Sequence, residues 1–367
     1  MENRIVLANL LHRPIRTIVS VLAVAIEVGM VMLVVGMTSG LVNETAKRQE
    51  GVGADLWVQA PHASYFFAIS SAPMPIKTGD LLRDVPHVLA VAPVLFQFNS
   101  VGGINTVYGI DMDSFDKVTG GFVYHGAGGP LKNPYDILVD DIYARANHVR
   151  VGQVISLFDH EFTVAGIVEH GKGSRLFIPL ETAQDLSGAH NMASIFWVKC
   201  TEPGYTEDVI ESIRKLLPNY TIISIREYMQ LMTTNNIPGL TAFITALVCV
   251  AVGIGFLVIF LSMYTTITER TREIGILKSL GASKLYVIEA ILRESTFLCV
   301  IGIVAGYGGA LLARRILHSA FPTLTVELTV VWGVYAGVLA LAGSVLGAFY
   351  PALRAASLDP VDALAYE

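Results

Sequence analysis

One run of this sequence spaces glycines and a lysine almost as a phosphate-binding loop would: Gly166-Ile-Val-Glu-His-Gly171-Lys172-Gly173. That chemistry needs Ser or Thr at the last position to hold magnesium, and Gly173 stands there. A helix N-terminus must also follow, whereas the next residues are strand-like. The run therefore reads as a turn. So does Leu186-Ser-Gly-Ala-His190, which has only a superficial likeness to a nucleotide-sensing signature loop. Seven histidines (His62, His87, His125, His148, His160, His170, His190) are scattered over the middle of the chain without the close spacing of metal ligands. No nucleophile elbow of the form G-x-S-x-G occurs. Cys200, Cys249 and Cys299 read as small buried hydrophobes. The expectation is a chain with no catalytic site, no cofactor and no metal of its own.

The stretch with the densest pattern is Glu269-Arg-Thr-Arg-Glu-Ile-Gly-Ile-Leu-Lys-Ser-Leu-Gly-Ala-Ser-Lys284. Its charges cluster at the start, and Ile274, Ile276, Leu277 and Leu280 follow at helical spacing. Gly281 is a natural stop and Ser283 a natural start for the next helix. Residues 284–294 are amphipathic, as in an elbow lying at a membrane interface. A short charged helix braced between two long apolar runs suits a partner that pushes on it.

Those apolar runs dominate the chain. Of 367 residues, 53% are hydrophobic and 15% charged, against about 25% charged in a soluble domain. Four runs each reach the roughly 20 residues of a span: 17–42, 239–268, 295–313 and 328–353. The first is too long for a signal peptide's apolar region and has no small-residue cleavage site. Glu27 is its one charge, and a carboxylate at mid-span costs roughly 2.5–3.5 kcal/mol on insertion scales. It must be protonated, paired or turned to a helix seam; a hydrogen bond across the bundle that supports assembly is the expectation. Glycine pairs at Gly302/Gly306, Gly333/Gly337 and Gly343/Gly347 have the spacing that lets helices approach closely.

Positive residues flank the spans. Arg4, Arg13 and Arg16 precede the first; Arg270, Arg272, Lys278, Lys284 and Arg293 lie between the second and third; Arg354 follows the fourth. The positive-inside rule makes these flanks, and both termini, cytoplasmic. Arg314 and Arg315 then fall at the outer end of the third span and snorkel to headgroups. Residues 41–238, with 14 Lys+Arg against 21 Asp+Glu, carry a net charge of −7 and form a water-facing outer domain. Short β-like stretches recur there (55–59, 88–93, 105–109, 136–139, 154–158, 161–168, 175–178, 194–199), with helical stretches at 182–186 and 206–217. The domain reads as α+β, with room for two subdomains and a glycine-rich loop over 101–129. The acidic net charge of −6 leaves no footprint for nucleic acid.

The 269–284 run, together with Tyr350-Pro-Ala-Leu-Arg-Ala-Ala-Ser-Leu-Asp-Pro-Val-Asp-Ala-Leu364, resembles the signatures of the FtsX/MacB/LolC-type permeases, the type VII or mechanotransmission ABC transporters. The opening Ala8-Asn-Leu with Arg13 to Arg16 resembles that family's amphipathic lead. Val151-Gly-Gln-Val, Phe162-Thr-Val-Ala-Gly-Ile-Val and Phe177-Ile-Pro-Leu-Glu-Thr-Ala resemble its periplasmic core. The resemblance implies an α-helical membrane domain with four transmembrane helices plus an extracytoplasmic α+β domain of the MacB-like periplasmic core type. Its expected layout is a cytoplasmic lead (1–16), first span (17–40), outer domain (41–238), second span (239–268), coupling helix (269–284), elbow and third span (285–313), short outer loop (314–327), fourth span (328–353) and cytoplasmic tail (354–367).

The resemblance also implies partners. Two separate ATPase subunits would bind ATP and Mg and dock on the coupling residues Glu269, Arg270, Arg272, Glu273, Ile274, Gly275, Lys278, Leu280, Gly281 and Ala282. A second permease copy, lipid and an adaptor or membrane-fusion protein would complete the machine in a bacterial cytoplasmic membrane. Its work would be export or extraction of a hydrophobic or amphipathic substrate. Two other classes compete: a signalling subunit that regulates an outer enzyme without transport, and a membrane-anchored enzyme.

Overall fold

The computed structural model describes residues 14–61, 73–99, 105–233, 236, 237 and 239–359. The lead over 1–13, His62 and the tail over 360–367 lie outside the described residues. The chain divides into two units, residues 1–39 with 239–320 and 326–367, and residues 40–238 with 321–325.

The first unit is built on four long helices: α1 (Pro14–Glu50), α8 (Leu240–Glu269), α10 (Lys284–Ala320) and α11 (Val330–Ser357). All four are long and apolar enough to cross a membrane. The first runs on as one helix past the expected span limit at residue 40, close to where the chain divides into its two units. It continues to Glu50, because residues 15–50 contain no proline and the interior glycines do not interrupt it, and Lys47 and Arg48 sit favourably at its negative end. The elbow expected before the third span is the first part of α10, which runs unbroken because residues 284–301 contain neither Gly nor Pro. The same helix extends past 313 to Ala320, so Arg314 and Arg315 are exposed helical residues.

Each glycine pair sits where another helix comes close. A Cβ on Gly302 would lie 2.6 Å from the Val24 Cβ, and one on Gly306 2.8 Å from the Ala25 carbonyl oxygen, so α10 and α1 meet through missing side chains. Gly347 brings α11 as close to the Phe256 carbonyl of α8. Hydroxyls add polar links: Ser295 and Ser344 lie 2.7 Å apart between α10 and α11. The shared core includes Val24, Val28, Ile259, Leu298 and Ala340.

The second unit is organised by a sheet of ten strands: β1 (Leu56–Gln59), β3 (Val88–Asn99), β4 (Asn105–Ile110), β5 (Tyr124–His125), β6 (Asp136–Asp140), β7 (Val154–Leu157), β8 (His160–Val168), β9 (Leu176–Pro179), β11 (Ile195–Cys200) and β12 (Thr221–Ser224). Their order is β12-β1-β11-β3-β4-β9-β6-β8-β5, with β7 on β8. Among the described strands, only β4–β9 and β6–β8 pair in parallel. The small β2 (Met74–Pro75) and β10 (Met192–Ala193) pair separately. Helices α2 (Thr78–Arg83), α3 (Met112–Thr119), α4 (Asp141–Asn147), α5 (Leu180–Ser187), α6 (Thr206–Leu216) and α7 (Ile225–Leu231) complete the α+β domain.

Both faces of the sheet are covered. Leu56, Val58, Phe196 and Val198 join Leu82, Val209 and Ile213 on one side. Trp57, Ile195 and Trp197 join Tyr108, Phe115, Phe177 and Tyr228 on the other. This is the two-residue alternation of a strand with apolar residues predominating on both faces, because each face has a cover. The segment 101–129 is not one loop: within its described part are β4, α3 and β5. Asp111 caps α3 by accepting from the Ser114 N–H at 3.0 Å, a local signal that the glycine content overshadowed.

Candidate functional site: the short helix between the second and third apolar helices

Three elements meet at one end of the first unit. α8 stops at Glu269, helix α9 (Thr271–Ser279) follows after a one-residue break at Arg270, and α10 starts at Lys284. The 269–284 segment is thus three pieces, with the stop at Gly281 and the new start after Ser283 where the sequence places them, and with an added break at Arg270. Glu269 ends α8; Arg270 is the hinge residue; Arg272, Glu273, Ile274, Gly275 and Lys278 lie on α9. Leu280, Gly281 and Ala282 form the turn, with Gly281 at φ 96°. That left-handed geometry is why the helix ends at a glycine.

The inner face of α9 is anchored. Ile274 and Gly275 are buried, and Ile274 packs in a small core with Ile267, Val287, Ala355 and Ala356. Lys278 reaches the end of α11. Its ammonium donates to the Ala356 carbonyl at 2.9 Å and to the Leu358 carbonyl. These are carbonyls that a helix end leaves without partners, so a cation there is doubly favoured. Arg354 on the same helix donates to the Tyr264 hydroxyl at 2.7 Å and lies 5.2 Å from the Tyr264 ring centroid.

Arg270 faces inward. Its guanidinium is 3.6 Å from the Glu294 carboxylate on α10 and 3.8 Å from Glu273. Glu294 is buried, so this pair joins the hinge to the third long helix in a poorly hydrated place. Sequence reading placed Glu294 only in an amphipathic stretch and assigned it no partner; a carboxylate bordering an uncharged run was the available signal. A cavity of about 260 Å³ opens beside the pair, lined by Ile267, Arg270, Ile274, Tyr286, Ala290 and Glu294 among others.

The outer face of α9 is bare. Arg272, Glu273, Ile276 and Leu277 are exposed, and Leu280 is 81% exposed. The arrangement is thus two-sided, with one face fastened to α8, α10 and α11 and the other exposed. Among the described residues no group of three or more His, Cys, Asp or Glu side chains is placed to hold a metal ion.

Glu27 lies elsewhere in the same unit, on α1. It is 7% exposed and its carboxylate occupies the space over Gly255 of α8, where any Cβ would collide with it. The Ser20 and Ser262 hydroxyls lie 2.7 Å apart seven residues away on both helices. The two pairs therefore mark one antiparallel seam.

Comparison with known proteins agrees with this layout. Residues 17–216 match the family described as MacB-like periplasmic core domain, and residues 245–360 that described as FtsX-like permease C-terminal. The pyoverdine export ATP-binding/permease protein PvdT of Pseudomonas fluorescens (strain Pf0-1) is 32% identical over 59% of this chain and 35% of its own length. The macrolide export ATP-binding/permease protein MacB of Campylobacter jejuni (strain 81-176) is 24% identical over 99% of this chain and 61% of its own. The chain thus spans 35% and 61% of the length of these two relatives. Among solved structures, the periplasmic region of MacB from Actinobacillus actinomycetemcomitans is similar at a TM-score of 0.39 and 16% identity, covering 50% of this chain and 94% of that one. With the first match alone covering more than half of its residues, this chain belongs to the family of ABC transporter permeases that carry a MacB-like periplasmic core domain and an FtsX-like permease C-terminal region.

Proposed function

We propose that this chain is the permease subunit of an ABC-type exporter in which the 269–284 segment is the coupling element. Two separate ATPase subunits bind ATP and Mg and grip the exposed face formed by Arg272, Glu273, Ile276, Leu277 and Leu280. The push passes through Ile274, Arg270 and Lys278 into the long helices and moves the outer domain. The cargo is a hydrophobic or amphipathic molecule: a drug, peptide, lipid or lipoprotein. The machine sits in a bacterial cytoplasmic membrane with both termini inside, as a pair of permease copies, with an adaptor or membrane-fusion protein outside.

The observation that carries this reading is the two-sided character of α9. Its inner face is fastened to α8, α10 and α11, and its outer face leaves Leu280 almost fully exposed. A merely solvated loop needs no such fastening. The test is co-purification of the full chain with its cognate ATPase. Glu273→Lys and Leu280→Asp are expected to reduce ATPase capture at least tenfold while hydrogen exchange over residues 40–238 stays unchanged. Unaltered capture by both variants would refute the coupling role.

A further inference from the structure

The glycine run that fails as a phosphate loop has a different task in the fold. Residues 169–175 connect β8 to β9, and they close around the last turn of α1. The Gly173 N–H donates to the Arg48 carbonyl at 2.9 Å, satisfying one of the helix's terminal acceptors. Gly51 packs so near the Gly171 carbonyl that a Cβ there would overlap it. Gly171 and Gly173 have φ of 108° and 84°, which only glycine adopts easily. Lys172, between them, donates to the Thr119 carbonyl at 2.6 Å.

Side chains reinforce the grip. Glu44 on α1 uses both carboxylate oxygens on different segments. Oε1 accepts from Arg175 and Oε2 from Thr325, in the connection between α10 and α11. Arg48, one turn on, has its Nε 3.9 Å from Glu44. Arg175 also donates to Asp140 at 3.1 Å, and Asp140 has no exposed surface. Asp140 is fixed in turn by accepting from the Tyr143 N–H at 2.6 Å. Two acids and two bases thus balance in a largely buried cluster. Breaking one link strands a charge away from water, so the linked segments resist separation.

We propose that Glu44 is a positioning residue that locks the end of α1 into a socket formed by residues 169–175, so that displacement of α1 is delivered together to the sheet through Arg175–Asp140 and to the α10–α11 connection through Thr325. This rests on the proposed function. One carboxylate thus touches Arg175 and Thr325 at once.

The test uses the full chain in lipid nanodiscs, alone and with its ATPase. Three forms are compared: wild type, Glu44→Gln, and Glu44→Gln with Arg175→Gln. The double variant leaves Arg48 and Asp140 as a balanced pair, so it separates charge balance from linkage. Without the ATPase, Glu44→Gln is expected to speed amide exchange at 171–175 and 321–325 at least tenfold, with β3 and β11 unchanged. Unchanged exchange at both segments, or an equal rise everywhere, overturns the proposal. With the ATPase, wild type is expected to show an ATP-dependent exchange change in the sheet. Both variants should bind the ATPase and hydrolyse ATP yet lose that change, even where the double variant regains thermal stability. Retention of the ATP-dependent change in either variant overturns the proposal. Absence of the change in wild type overturns the functional reading itself, a result read separately from any loss confined to the variants.

Discussion

The Lys278 ammonium and the Ala356 carbonyl oxygen lie 2.9 Å apart, so a residue of the short helix α9 caps the end of the fourth long helix, 78 positions away in sequence. A charged hydrogen bond of this kind is worth roughly 1.5–3 kcal/mol, and favourable placement at a helix end adds roughly 0.3–1. Lys278→Met keeps the aliphatic stem and removes the donor. Amide exchange over the last turn of α11 is expected to rise at least tenfold, with the middle of α11 unaffected. Unchanged exchange there would show that the cap is dispensable.

Glu27 and Gly255 form a second sharp prediction. Adding a methyl group at Gly255 forces the carboxylate out of its place, at a cost of about 1–3 kcal/mol for overpacking. Gly255→Ala should therefore lower unfolding stability, and Glu27→Ala with Gly255→Ala should lose less than the sum of the two single changes. Contacting residues couple by about 0.5–3 kcal/mol. Additive losses in denaturant or thermal unfolding would mean that the two residues do not meet. Glu27→Gln, which keeps the shape, tests the assembly role; if it and Glu27→Ala both leave complex recovery and transport untouched, Glu27 does not support assembly.

A pH prediction follows from Asp141, at the start of α4. Burial pushes its carboxyl up, but hydrogen bonds from the His170 ring and N–H, with the charges of His170 and Arg145, outweigh that and hold it below the usual carboxylate value. A depressed carboxyl stabilises the fold above its unfolded pKa, about 3.9, and that stability is lost as pH falls through the lower folded value. Asp141→Asn should be less stable than wild type at neutral pH, and the two should converge in acid below the folded value. Acid titration of unfolding, read by the fluorescence of buried Trp57 and Trp197, checks it. A constant difference down to pH 2 would contradict the assignment.

Much of the architecture is local and was therefore readable. Four apolar runs, three of them uncharged and the first carrying Glu27 alone, announce four long helices, because no helical face in them is suited to water. Strands such as β6 and β11 follow from continuous apolar residues between turn residues. The short β12, with one polar residue at each end, carries too little pattern and was missed; it forms because β1 offers it a partner edge. The run of α1 on to Glu50 is hidden for a different reason: residues 41–50 lose their hydrophobicity but not their helical propensity, so composition changes where backbone structure does not.

Composition, periodicity and motif spacing thus determined the number of apolar helices, the α+β nature of the domain and the position of α9, since each depends on residues near one another in the chain. The tertiary structure alone decided that Lys278 caps α11, that Arg270 finds Glu294, that Gly255 makes room for Glu27, and that Glu44 joins Arg175 across 131 positions. A lone charge in a buried segment must be neutralised or find a partner, because an unpaired buried charge is too costly to keep. Which distant residue supplies it is settled only when the helices and strands have packed.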